Sequence, residues 1–167
     1  MGSSAVLRST TYLEKSEIEK ISSKNKYINA VFSREKNVDG FLTIKELNNI
    51  TNGLLNDKIL KKIIQICGSK KDKLTYDDFC YFYALLITSS LEAKLNFLLD
   101  FIFIKKDKLS KEKYINKIKK YFNGSDLLNE IFLEDKLIKN TSNFTREEIY
   151  SYIEKNHKKE LENYSLY

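Results

Sequence analysis

A six-residue pattern that recurs four times is the feature that most constrains how this chain folds. Each copy has an apolar residue, a hydroxyl residue, usually an acid soon after it, and then a second apolar residue. The copies occupy residues 42–47, 74–79, 109–114 and 144–149, at separations of 32, 35 and 35 residues. Serine and threonine cap helix N-termini, and acids stabilise the first helical turn. The repeat therefore predicts four helices, beginning just after Thr43, Thr75, Ser110 and Thr145.

An amphipathic segment precedes each copy, so that the repeating unit is helix, loop, helix. These segments are residues 16–32, 58–66, 91–103 and 126–137. The units cover residues 16–156 at a nearly constant period, which is unlike a chance match. We expect an all-α fold in which neighbouring loops pair, Leu42 with Leu74 and Leu109 with Phe144.

The composition of the chain argues against several classes of function. No segment approaches the roughly 20 apolar residues that a membrane span needs. Cys67 and Cys80 lack the CxxC spacing of a zinc or redox site, and His157 is the single histidine. The net charge of +6 comes from lysines spread along the whole chain, which is not typical of a nucleic-acid interface. We expect a non-catalytic cytoplasmic protein with reduced cysteines that does not bind nucleic acid.

The loop before the first copy carries candidate metal ligands. Counted from residue 35, oxygen donors stand at positions 1, 3, 5, 9 and 12, with a backbone carbonyl at position 7 and Gly40 at the turn. Ca²⁺ binds such a ring of oxygens. The candidate ligands are Glu35, Asn37, Asp39, Phe41, Thr43 and Glu46. The alternative is a structural turn in which Thr43 and Glu46 form a capping box.

The loop and the repeat together resemble the EF-hand superfamily, in the four-hand form of calmodulin-like proteins. The chain is most similar to the calcineurin B group, with calcineurin-homologous and calcium- and integrin-binding proteins. Residues 1–2, 16–18 and 94–97 carry that narrower resemblance. It implies two lobes of paired hands, residues 16–88 and 89–156, with an amino-terminal extension 1–15 and a tail 157–167.

The other three loops depart from the calcium-binding pattern. Cys67, Ser69, Lys71 and Asp78 occupy ligand positions of the second loop, and Lys113 replaces the final acid of the third. The fourth loop has Leu137, Lys139, Thr141 and Ser142, which leaves Glu148 isolated. An ammonium group cannot replace an oxygen ligand. We expect four degenerate hands, with a weak or vestigial calcium site in the first loop only.

EF-hand proteins that have lost their calcium ligands resemble constitutive subunits that clasp an amphipathic helix of a larger protein. We therefore expect a calcineurin-B-like adaptor or regulatory subunit, largely independent of calcium. Its partner would be a phosphatase, a transporter tail or a myosin heavy chain. The predicted groove residues are Leu95, Leu98, Leu99, Ile102, Phe79 and Phe82. The alternatives are a myosin light chain on an IQ-type helix and a weak calcium sensor using the first loop.

The two ends of the chain carry further hypotheses. Gly2 is a candidate for N-myristoylation, but Val6 stands where the signal has serine or threonine. Membrane association would come only from this lipid or through the partner. Residues 157–167 could extend the last helix, plug the carboxy-terminal groove or stay disordered.

Overall fold

The computed structural model describes residues 11–104, 106–141 and 144–166, and this part of the chain is predominantly helical. It divides into two compact units, one formed by described residues up to Thr88 and the other by Ser89–Ser165. We call them the amino-terminal and carboxy-terminal units. Among the described residues, no helix is long and apolar enough to cross a membrane.

The amino-terminal unit contains five helices. They are α1 (Lys15–Lys24), α2 (Lys26–Glu35), α3 (Ile44–Ile50), α4 (Asp57–Cys67) and α5 (Tyr76–Ile87). The loops before α3 and α5 meet in an antiparallel bridge between Leu42 and Leu74. Leu42 N–H donates to Leu74 O at 3.0 Å, and Leu74 N–H donates to Leu42 O at 2.8 Å. This is the loop pairing that the repeat predicts.

The carboxy-terminal unit repeats this arrangement with more elements. They are α6 (Leu91–Phe103), β1 (Lys108–Leu109), α7 (Lys111–Tyr121), α8 (Asp126–Phe132), α9 (Asp135–Asn140), β2 (Phe144–Thr145), α10 (Arg146–Asn156) and α11 (Lys158–Glu162). The two short strands are antiparallel, with Leu109 opposite Phe144. The second predicted loop pairing is therefore also confirmed.

All four predicted helix starts are confirmed. The hydroxyl residue of each repeat copy is the N-cap of α3, α5, α7 or α10. In α5, α7 and α10 its side chain accepts a hydrogen bond from the backbone three residues on. Side-chain capping thus sets where the second helix of each helix–loop–helix repeat begins.

Two of the predicted amphipathic segments are broken into pairs of helices. Asn25 separates α1 from α2, because its Oδ1 accepts from Tyr27 N–H at 2.9 Å and its Nδ2 donates to Tyr83 Oη at 2.9 Å. Glu134 lies between α8 and α9, where its carboxylate bonds Tyr152 and His157. Both breaks direct a polar side chain to a partner far away in the sequence.

Each unit has its own apolar core. In the carboxy-terminal unit, the ring of Tyr114 packs against Phe144, with 4.8 Å between the ring centroids. Its hydroxyl donates to Phe132 O at 2.7 Å, and burial raises its pKa. In the amino-terminal unit the bridge residues Leu42 and Leu74 are fully buried, as are Ile28, Leu60 and Leu85. The paired loops are therefore part of the core.

Candidate calcium loop and helix-binding faces

The first loop, between α2 and α3, is closed by its own hydrogen bonds. Asn37 Oδ1 accepts from the backbone N–H groups of Asp39 and Phe41, both at 3.0 Å. Asn37 N–H donates to Phe41 O at 2.8 Å. Gly40 has a φ of +87°, in the left-handed region that glycine adopts without strain. Two of the predicted oxygen ligands, Asn37 and Phe41, are therefore bonded to each other's backbone.

The three carboxylates of this loop have different surroundings. Glu35 is paired with Arg34 at 2.9 Å, and Asp39 is exposed. Glu46 Oε1 accepts from Thr43 N–H at 2.8 Å and from Thr43 Oγ1 at 2.6 Å. Burial alone would raise the pKa of Glu46, but the hydrogen bonds from Thr43 lower it overall below its ordinary value. Thr43 and Glu46 form the capping box expected of a structural turn.

Several candidate ligands of the first loop take part in hydrogen bonds within it. In residues 11–104, 106–141 and 144–166, no three acids, histidines or cysteines lie close enough together to hold a metal ion. The oxygens of Asn37, Phe41 and Glu46 already accept hydrogen bonds within the loop. The chemistry that the loop performs in this structure is helix capping.

In the second loop, a buried carboxylate makes contacts that the sequence pattern did not reveal. Asp78 is 1% exposed, and its Oδ2 accepts three hydrogen bonds, each of 3.0 Å. The donors are Ser69 N–H, Ser69 Oγ and Thr75 N–H, at opposite ends of the loop. One carboxylate therefore ties the two ends together. The Thr75–Asp78 capping box was the available sequence signal, but the link to Ser69 needs the folded loop.

Gly68 allows this loop to close. A Cβ added at this residue would lie 2.5 Å from Ile64 O, closer than side chains approach backbone oxygens. The restriction is steric, because Gly68 has an ordinary extended backbone. Any larger residue would therefore push the start of the loop away from α4.

In the third and fourth loops, Lys113 is exposed on α7, and Leu137 and Lys139 lie within α9. Glu148 is exposed, and its N–H donates to Thr145 Oγ1 as part of the helix cap. Ser142, like the lipidation candidate Gly2, lies outside the described residues. None of the described residues in these two loops adds an acid that could join a metal site.

The six predicted groove residues are all buried. Leu95, Leu98, Leu99 and Ile102 lie on α6, and Phe79 and Phe82 lie on α5. The six residues thus lie on two helices, one in each unit, and other helices pack against both of them. A partner helix could contact these six residues only after one of the helices packed against α5 or α6 has moved.

Three helices pack on α6: α7, α10 and the short α11 that follows α10. Lys94 on α6 is 3% exposed, and its ammonium donates to three backbone carbonyls. The acceptors are Leu161 O at 3.1 Å, Glu162 O at 3.1 Å and Tyr164 O at 3.0 Å. Burial lowers the pKa of Lys94, and the charge of Glu162 partly opposes this. The tail residues Lys158–Glu162 form α11, a separate short helix after α10 that contacts α6.

The cover on α5 is α1, which packs along it. No residue of α1 is buried, so this cover holds little apolar surface. Polar contacts are made just before and just after α1. Tyr12 N–H donates to Tyr81 Oη at 3.1 Å, and Asn25, just beyond α1, bonds Tyr83. In each unit, a helix from near one end of the chain is one of those that pack on the long apolar helix.

His157 stands at the joint of α10 and α11. Its Nε2 lies 2.8 Å from Glu134 Oε2, and its Nδ1 lies 2.9 Å from Glu160 Oε1. Glu134 also accepts from Tyr152, whose pKa is raised to about 12 by burial and by this bond. The imidazole of His157 thus lies between two carboxylates, and these two contacts hold the start of α11 in place.

No protein-family model matches this chain, and no curated protein sequence matches it either.

Proposed function

We propose that the chain is a non-catalytic adaptor or regulatory subunit that binds an amphipathic helix of a larger protein without needing calcium. In this proposal its four helix–loop–helix stretches are degenerate EF-hands, paired in two lobes as in the calcineurin B group. The observation that carries it is the pairing of loops in both units, Leu42 with Leu74 and Leu109 with Phe144. Paired helix–loop–helix units present an apolar face that suits a helical partner.

Calcium independence is supported by how the loop acids are used. Glu46 caps α3 through Thr43, and Asp78 joins Ser69 to Thr75. A calcium sensor needs an ion that stabilises one conformation over another. Hydrogen bonds within these loops already supply the stabilisation that an ion would otherwise give.

The net charge of +6 bears on the choice of partner. IQ-type helices are themselves basic, so that a light-chain role would bring like charges together. A partner helix with an acidic polar face fits better. Phosphatase subunits and transporter tails remain the partner classes we propose, with a myosin heavy chain as the alternative. Membrane attachment would follow from a lipid on Gly2 or from the partner.

The test uses the purified full chain and a labelled synthetic helix. The probe is an 18-residue peptide with leucine at positions i, i+3, i+4 and i+7 and glutamate on its polar face. Its affinity and the melting temperature of the chain are measured in calcium and in chelator. We expect the same affinity and the same melting temperature in both conditions. A basic peptide with the same leucine pattern is the matched control and should bind more weakly.

Two results would contradict the proposal. A melting temperature that rises in calcium together with tighter peptide binding would favour the weak calcium sensor, acting through the first loop. Preference for the basic peptide would favour the light-chain alternative.

A further inference from the structure

We propose that one side of α7 docks the chain on the surface of a membrane whose lipids carry negative charge. This side consists of Lys113, Lys117 and Lys120 on α7, together with Lys106 in the loop after α6. We call these four residues the lysine face. Docking through the lysine face needs neither a lipid on Gly2 nor a bound partner helix, and it does not depend on the function proposed above.

The positive charge of the chain is concentrated around α7. Residues 106–120 contain seven lysines and two acids, a net charge of +5 in a chain whose total is +6. Lysines are frequent elsewhere too, but acids balance them and leave a net charge of +1 for the rest of the chain. An anionic surface is therefore attracted most strongly to this stretch.

The helical spacing brings three of the lysines to one side of α7. Residues three and four positions apart are neighbours on a helix surface, and Lys113, Lys117 and Lys120 have this spacing. Lys113 and Lys120 are exposed, and Lys117 is half-buried. Tyr114 and Ile118 are the buried residues of α7, which packs on α6. The apolar residues of α7 thus belong to the core, while its lysines face water.

The four ammonium groups are close enough together to repel one another. Lys106 is placed by its backbone N–H, which donates to Phe103 O at 2.8 Å at the end of α6. Burial lowers the pKa of Lys117, and the charges of Lys106, Lys120 and Lys113 lower it further. Within the described part of the chain, none of the four forms an ion pair with an acid. A negatively charged surface supplies the neutralising charge that the chain does not.

The residue types of the lysine face suit lipid headgroups better than nucleic acid. All four cations are lysines, whereas arginine is the residue that binds base edges and phosphates through paired hydrogen bonds. Proteins that bind single strands stack the bases on aromatic rings. In α7, Tyr114 is buried, and the ring of Tyr121 packs on Phe101 with Lys120 Nζ 5.1 Å from its centroid. Clusters of lysines are typical of attachment to anionic lipids.

The experiment measures binding of the purified full chain to sedimented lipid vesicles. The vesicles contain phosphatidylcholine alone or with about 30% phosphatidylserine, whose headgroup is anionic. Binding is measured at about 0.1 M and about 0.5 M salt, because salt screens attraction between exposed charges. We expect the chain to bind the anionic vesicles at the lower salt concentration and to be released at the higher one. Vesicles of phosphatidylcholine alone should not bind it.

A pair of variants tests whether the lysine face is the surface that binds. Lys113→Gln combined with Lys120→Gln should weaken binding to the anionic vesicles at least about tenfold, because each lysine near the surface contributes to the attraction. Lys58→Gln combined with Lys61→Gln, at exposed positions of α4, is the matched control, since it removes the same net charge. This control should weaken binding less than about threefold. All four exchanges are at exposed lysines, and circular dichroism checks that both variants are folded.

Three results would overturn the inference. Equal weakening by the two pairs of exchanges would show that net charge alone, and not the lysine face, attracts the membrane. Equal binding to neutral and anionic vesicles would show that charge is not the cause. Binding to a duplex oligonucleotide or to the acidic amphipathic peptide, without binding to anionic vesicles, would assign the lysine face to that other partner.

Discussion

At the scale of single residues, acidic side chains close the first two loops of this chain through hydrogen bonds. Asp78 is the clearest case, because its buried carboxylate accepts from both ends of the second loop. Hydrogen bonds to a charged acceptor are stronger than neutral ones. The loop is thus held closed by a side chain of the protein itself.

The exchange Asp78→Ala should be strongly destabilising. It would leave the half-buried Ser69 N–H and Thr75 N–H without their acceptor, and the loss of such a partner costs about 1–3 kcal/mol. We expect the free energy of unfolding, measured in urea, to fall by about 2–4 kcal/mol. Asp77→Ala, at the exposed neighbour, should change it by less than about 1 kcal/mol. Equal effects of the two exchanges would contradict the role given to Asp78.

At the scale of elements, the helix starts and loop pairings could be predicted from sequence. Both depend on local chemistry: a hydroxyl caps the helix that follows it, and a constant period brings the same positions of two loops together. The breaks in the two amphipathic segments could not be predicted. Asn25 bonds Tyr83, and Glu134 bonds Tyr152, so that each break depends on a contact made only in the folded unit.

The sequence left open which elements pack on α5 and α6, and for the tail it offered three alternatives without choosing among them. The apolar residues of α6 exceed what one core needs. The sequence does not say whether the additional side chains pack against a partner or against another part of the chain. α11 has one buried leucine, which gives no periodic signal. Lys94 is one of many lysines, and only its three carbonyl acceptors distinguish it.

The joint between α4 and the second loop supports a prediction about a glycine. Gly68→Ala should destabilise the chain by about 1–3 kcal/mol, because the added methyl group would overlap Ile64 O. Gly124→Ala is the matched control, since nothing lies within 4 Å of the added Cβ there. Loss of chain entropy in the unfolded state should make that variant neutral or slightly more stable. Urea unfolding distinguishes the two, and a stable Gly68→Ala variant would contradict the close approach.

At the scale of the whole molecule, each unit has a long apolar helix on which a helix from near one end of the chain packs. α1 packs on α5 without burying a residue of its own, and α11 packs on α6 with one. In the proposed function, the paired loops keep each unit intact while a partner helix binds.

The central claim is that the chain holds a helix of a larger protein with or without calcium. The measurement that tests it most directly is purification of the tagged full chain from its native cells, in parallel with calcium and with chelator, followed by cross-linking mass spectrometry. We predict the same partner in both conditions, with cross-links joining a helical segment of the partner to the carboxy-terminal unit. A partner lost in chelator, or cross-links confined to other parts of the chain, would contradict the account.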